Sequence, residues 1–246
     1  MGGSVIRFIS FEVISRRISM STRLCILVCF LLVMGSCSWI DFSPSRITVD
    51  DIQAKYVTLF NGHDLTNWII MGHPEGWKVV DGVIRSEGGK GGNWLRSARE
   101  YENFILNLEY KVSPGGNSGV FIRCAEEGNP WETGYECQIS NEQPPRDAAH
   151  CTGSLYGYVA ADPRPDESPD VWHRYEILSK HNRIIVMVDG QKTVDVDQSK
   201  IASIQDKPLR GYIGLQDAHA GEGTTVEFRN IRIRELPPVE AEKKER

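Results

Sequence analysis

From Tyr56 to Leu236 the chain is a succession of short apolar runs broken by Gly, Pro, Asn and Asp. Period-two alternation bounded by turn residues predicts strands. Phe104 to Val112 is the cleanest case, with Leu106, Leu108, Tyr110 and Val112 on one face and Asn107, Glu109 and Lys111 on the other. Trp77 to Ile84 folds back at Asp81-Gly82, and the Ile184 to Val188 run ends at Asp189-Gly190; each reads as a hairpin about an Asp-Gly turn. Val120 to Cys124, Tyr135 to Ile139, Trp172 to Leu178, Tyr212 to Gln216 and Val226 to Ile233 bring the expectation to about ten strands. Only Gln198 to Gln205 looks weakly helical. The fold class that follows is all-β, one antiparallel sandwich of two sheets around a shared core.

The N-terminus obeys another pattern. Leu24 to Val33 is ten apolar residues without a charge, preceded by Arg16, Arg17 and Arg23 and followed by Gly35, Ser36 and Cys37. A basic flank, a short apolar run and small residues are the layout of an export signal, and the run is too short to span a bilayer. Met20 offers an alternative start. Residues 1–36 therefore read as a signal peptide, either cut before Cys37, which would then carry a lipid, or cut conventionally near Ser36. Residues 37–55 read as a tether, 56–236 as the sandwich, and 237–246 as a charged tail.

Composition sharpens the class of partner. Removing residues 1–36 takes four arginines and one glutamate from 28 basic and 33 acidic residues, leaving a net charge of −8. An acidic exported domain has no general attraction for phosphate backbones, so nucleic acid is not expected as a partner. A membrane partner is expected only through the lipid at Cys37, on the periplasmic or outer face of a bacterial membrane. Cys25 and Cys29 leave with the leader. Cys124 and Cys137 fall on core-facing parities and are expected either to pair as a disulfide or to remain two buried thiols, with Cys151 left over.

Strand parity also gathers polar residues. Asn117, Phe121 and Arg123 point one way on their strand, and Glu136 and Gln138 share a face on theirs. With Glu109 these make a polar patch if the strands are neighbours, or a solvated sheet face with incidental ion pairs if they are not. His150 and Tyr156 lie on one loop and His219 follows another strand; if the loops leave the same sheet a histidine there could serve as base or ligand, and otherwise each is an ordinary surface or structural residue. Trp94 and Trp131 lie in loop-like stretches, either stacking on sugar rings or filling the core. No GxSxG, HExxH or phosphate-loop motif is present.

Seven segments, in order, resemble the 3-keto-disaccharide hydrolase family. They are Leu59 to Trp68, Gly76 to Ile84, Asn117 to Arg123, Tyr135 to Ile139, Thr152 to Tyr156, Gly214 to Asp217 and Phe228 to Ile233. The resemblance implies a concanavalin-like jelly roll with its site on the concave sheet, acting on a glycoside oxidised at C3. Glu136 or His150 would be the base, with Arg123 or a divalent cation at the developing oxyanion. Asn117, Gln138, Tyr156, Gln216, His219 and Glu109 would hold the carbohydrate. The chemistry it implies is removal of the C2 proton, elimination of the C1 substituent and addition of water. A lectin-like binding domain without catalysis is the alternative reading. Two departures from the family pattern stand out: Ser140-Asn141-Glu142 where an Asp is usual, and Ala218 between Asp217 and His219.

Overall fold

A computed structural model describes residues 55–238. The leader, Cys37, nearly all of the tether and most of the charged tail lie outside the described residues. No helix among the described residues is long and apolar enough to cross a membrane.

Among the described residues thirteen strands form two antiparallel sheets. In chain order they are β1 (Val57–Thr58), β2 (Trp68–Ile70), β3 (Trp77–Val80), β4 (Val83–Glu87), β5 (Trp94–Ser97), β6 (Phe104–Val112) and β7 (Asn117–Cys124). There follow β8 (Tyr135–Ser140), β9 (His173–Lys180), β10 (Arg183–Val188), β11 (Gln191–Asp197), β12 (Tyr212–Gln216) and β13 (Thr225–Glu235). The larger sheet runs β11-β10-β9-β6-β13-β4-β3, with β1 beside β13, and the smaller runs β2-β5-β12-β7-β8. A short α-helix, α1 (Pro130–Thr133), joins β7 to β8.

The alternation explains the core. Leu106, Leu108, Tyr110 and Val112 on β6 and Tyr175 and Ile177 on β9 meet Val120, Ile122, Cys137, Ile139, Ile213 and Leu215 of the smaller sheet. Both Asp-Gly turns form as expected, with Asp81 and Asp189 and the glycines after them at positive φ. β5, paired with β2 and β12, carries no alternation because all four of its residues are buried. Of Gln198 to Gln205, only Gln198–Lys200 is helical, as one 3-10 turn.

Two calculations from parity fail at one residue. Arg123 adopts φ +59, and the pairing of β7 with β12 slips there, from Gly214↔Phe121 to Tyr212↔Cys124. Such a bulge reverses every side chain beyond it. Arg123 therefore turns into the interior, fully buried, donating to Ser179 Oγ (2.9 Å), Gln198 Oε1 and the His181 carbonyl. Cys124 turns outward onto Trp94 and Phe121, whereas Cys137 stays in the core opposite Val120. The two cysteines thus lie on opposite faces of the sheet, and Cys124, Cys137 and Cys151 are all free, buried thiols. Of the two expectations for Cys124 and Cys137, the structure has the buried free thiols and not the disulfide.

Candidate active site

The outer face of the smaller sheet carries the site. Residues directly opposite in antiparallel strands share a face, so the pairs Phe121↔Glu136, Gly119↔Gln138 and Asn117↔Ser140 align Asn117, Phe121, Glu136 and Gln138. From β12 and β5, Gln216 and Trp94 join them as a direct pair. The loop from Asn141 to Tyr158 folds over this face. It is keyed to β8 by backbone hydrogen bonds from Tyr156 to the Glu136 carbonyl (2.9 Å) and between Gln138 and both Gly153 and Ser154.

A hollow of about 260 Å³ results, lined by Asn117, Trp131, Glu136, Gln138, Arg146, Tyr156, Gln216 and His219. Glu136 is only 5% exposed and its carboxyl has no hydrogen-bond partner among the described residues. Burial pushes its pKa up to about 8, against the opposing pull of Arg146. Its side chain lies across Gly119, where an added Cβ would stand 2.8 Å from Glu136 Cγ and Oε1. Glycine at 119 is what leaves room for the carboxyl to lie flat against the sheet.

Arg146 supplies the positive charge. It forms a two-pronged pair with Glu142, and its Nη1 donates to the Tyr156 hydroxyl (3.1 Å). Glu142 also accepts from Asn117 Nδ2 at 3.0 Å. Hydrogen bonds from Arg146, Asn117 and Ser140 hold the Glu142 carboxyl below its usual range despite partial burial. Two buried atoms on the same walls have no partner: Gln138 Nε2, a donor, and Gln216 Oε1, an acceptor. A group that both accepts and donates would satisfy them together, and a hydroxyl does so.

A second hollow of about 340 Å³ adjoins the first, sharing Trp131, Gln216 and His219 with it. Met71, Trp94, Phe121 and Pro130 line it, with the loop from Glu126 to Asn129 at its rim. Trp94 meets Phe121 edge to face, with ring centroids 5.7 Å apart. Asp217 also lines it, its carboxyl accepting from the Asn93 amide at 2.8 Å, and burial raises its pKa. Ala218 points into the core, so the extra residue is absorbed there and His219 still reaches the hollow.

Of the residues picked out from sequence, Asn117, Glu136, Gln138, Tyr156, Gln216 and His219 converge on the first hollow. Three do not. Arg123 is interior, for the reason given above. Glu109 lies on β6 in the other sheet, its carboxylate taken by Arg229 at 2.7 Å, because alternation along β6 says which face a residue takes but not which sheet the strand joins. His150 stands outside the hollow, bound through Nδ1 to Asp147 (2.8 Å) and edge-on to the Tyr156 ring at 4.8 Å. Trp94 belongs to a strand and floors the second hollow; Trp131, on α1, is 39% exposed and walls both. Sequence reasoning missed Arg146 and Glu142 as site residues; their i,i+4 spacing was the available signal, hidden in a Pro-Pro loop without periodicity. Among the described residues no three His, Cys, Asp or Glu side chains gather as a metal-holding cluster.

A family model described as the 3-keto-alpha-glucoside-1,2-lyase-like domain matches residues 55–234. The chain belongs to this family. A 3-keto-disaccharide hydrolase of Bacteroides thetaiotaomicron is 28% identical over 233 residues, covering 74% of this chain and 78% of that protein. Two crystal structures from Parabacteroides distasonis, described as candidate glycosyl hydrolases, align at TM-scores of 0.65 and 0.64. The first is 28% identical and covers 74% of this chain and all of the other; the second is 25% identical and covers 78% and 99%. A Bacillus subtilis protein with a galectin-like fold shares the jelly-roll architecture at a TM-score of 0.51 and 11% identity, covering 75% of this chain and 96% of that one. The 3-keto-glucoside lyase-like domain thus has the lectin-type β-sandwich and a hydrolase of 3-keto-disaccharides among its relatives.

Proposed function

We propose that this domain cleaves glycosides oxidised at C3, with Glu136 removing the proton from C2. The observation that carries the reading is Glu136 itself, a buried, unpartnered carboxyl in a hollow that Arg146 also lines. A ketone at C3 acidifies the C2 proton, and a carboxylate with a raised pKa is a stronger base for it. The electron pair released from C2–H builds negative charge toward the C3 oxygen, where a fixed cation is worth most. Arg146 takes that role, since Arg123 lies in the core. The C1–O bond then breaks, and the leaving oxygen takes a proton from the His219 side of the hollow. Water adds to C1, the proton returns to C2, and the net products are 3-keto-glucose and the free aglycone. Gln138 and Gln216 hold one sugar hydroxyl between them, and Asn117 and Tyr156 line the same wall.

The test is incubation of the purified protein with methyl 3-keto-glucoside or 3-keto-trehalose, with and without a chelator. Release of 3-keto-glucose, unchanged by the chelator, is expected; absence of turnover on either would sink the reading in favour of a binding domain. The leader pattern supports the further proposal that the domain is exported and held to a bacterial membrane by a lipid on Cys37. Mass spectrometry of the purified native protein should find an acylated N-terminal Cys37, and an unmodified N-terminus elsewhere would refute it.

A further inference from the structure

We infer that the hollow floored by Trp94 and Phe121 is the leaving-group subsite and accepts a planar, uncharged aromatic aglycone. This rests on the reading of the Glu136 hollow as the sugar cavity. The two hollows share Gln216 and His219, so a bond held between those residues has its sugar on the Glu136 side and its aglycone on the Trp94 side. The second hollow presents apolar groups on several sides: the edge-to-face pair Trp94 and Phe121, then Met71, Pro130 and Trp131. Its size suits one small ring system.

A second sugar ring fits this chemistry less well. Its hydroxyls would need partners, and a buried hydroxyl without one is costly. Several polar groups of this hollow are already engaged: Asp217 Oδ2 accepts from the Asn93 backbone amide (2.8 Å), Glu126 pairs with Arg96 (3.0 Å) and Asn129 Nδ2 donates to Glu132 (3.1 Å), while Gln216 Oε1 is left for the sugar on the Glu136 side. An aryl ring needs no such partners and gains contact with three aromatic side chains. A negatively charged aglycone is disfavoured by Asp217, Glu126 and Glu127 around the hollow. A phenol also departs more readily than an alcohol, so this subsite requires less acid assistance at the bond that breaks.

The full chain carrying Glu136→Gln is titrated calorimetrically with phenyl 3-keto-glucoside, methyl 3-keto-glucoside and 3-keto-trehalose, so that binding is read without turnover. Phenyl 3-keto-glucoside should bind about tenfold more tightly than the methyl compound. Adding Met71→Asp, or the milder Met71→Gln, should bring the two within about twofold, since Met71 lines only the aromatic hollow. Equal affinities in the parent, a phenyl advantage that survives both Met71 variants, or 3-keto-trehalose binding as tightly as the phenyl compound would each overturn the inference. Failure of the underlying reading shows separately, as wild-type protein that cleaves none of the three.

Discussion

Glu136, the proposed base, illustrates how a neighbour with no side chain sets where a carboxyl can lie. Opposite it in the sheet stands Phe121, and beside it Gly119 leaves the space in which its carboxyl lies. Gly119→Ala should leave the fold intact, because the clashing atoms belong to a side chain that can swing away. Turnover should nonetheless fall by up to about 100-fold, the usual effect of a misplacement near 1 Å; near-normal kcat with a normal melting temperature would refute this. Glu136→Gln should lower kcat/KM by about 100-fold or more. In the wild type, kcat/KM should rise about tenfold per pH unit below 8 and level above it, because the base must be ionised and burial holds its pKa at about 8. A profile flat from pH 6 to 9 would remove Glu136 from that role. The family resemblance singled out Glu136, and its place on a polar face with Gln138 was legible in the sequence from strand parity. Its burial was not, because the cover comes from a loop whose path alternation cannot describe.

At the scale of the element, β7 shows where pattern reading stops. Its first five residues obey period-two alternation, and the bulge at Arg123 then reverses it. A bulge has no apolar signature; a non-glycine residue at positive φ reveals it only in coordinates. Arg123 has become a tie between the sheets, reaching Ser179 on β9 and Gln198 after β11, and burial lowers its pKa to about 10. Arg123→Met should cost about 3 kcal/mol, as the buried acceptors lose their donor, while leaving kcat/KM of the folded protein within about twofold. Arg146→Met should do the reverse, with a normal melting temperature and a large loss of kcat. If Arg123→Met lost activity in the still-folded protein, the assignment of the cation would return to Arg123. β5 and β11 were hidden for another reason: β5 is covered on both sides, and β11 carries the charges of an exposed edge.

The whole molecule is held together across its two sheets by side chains of the larger one. Tyr175 on β9 donates to the Gln138 carbonyl of β8 at 2.9 Å, bracing the site strand from behind. The segment before β9 is anchored by His173, whose ring stacks on Tyr110 and bonds Asp189 (2.7 Å) and the Ser168 carbonyl (2.9 Å). Burial alone would lower the His173 pKa, but the Asp189 carboxylate and the carbonyl prevail and raise it. A raised histidine pKa gives stability that is complete below the ordinary value of 6.5 and lost as pH climbs through the folded value. The melting-temperature gap between wild type and Asp189→Asn should therefore be wide at pH 6 and narrower at pH 9; a gap that widens would contradict the pairing. That the chain is a two-sheet sandwich could be read from its alternating runs and Asp-Gly turns. Which strands share a sheet could not, which is why Glu109 was grouped with residues it never meets.

β8, the strand that bears Glu136, is the outermost of its sheet, and such a strand is ordinarily the place where one chain adds itself to another. The stretch from Gly153 to Tyr156 occupies that open side with its own amides and carbonyls. Loosening it would do more than misplace Tyr156. It would expose the unpaired Gln138 amide and the Glu136 and Gln138 carbonyls, a strand edge on which a second chain could pair, so the stretch that covers the candidate site also closes an edge open to self-association.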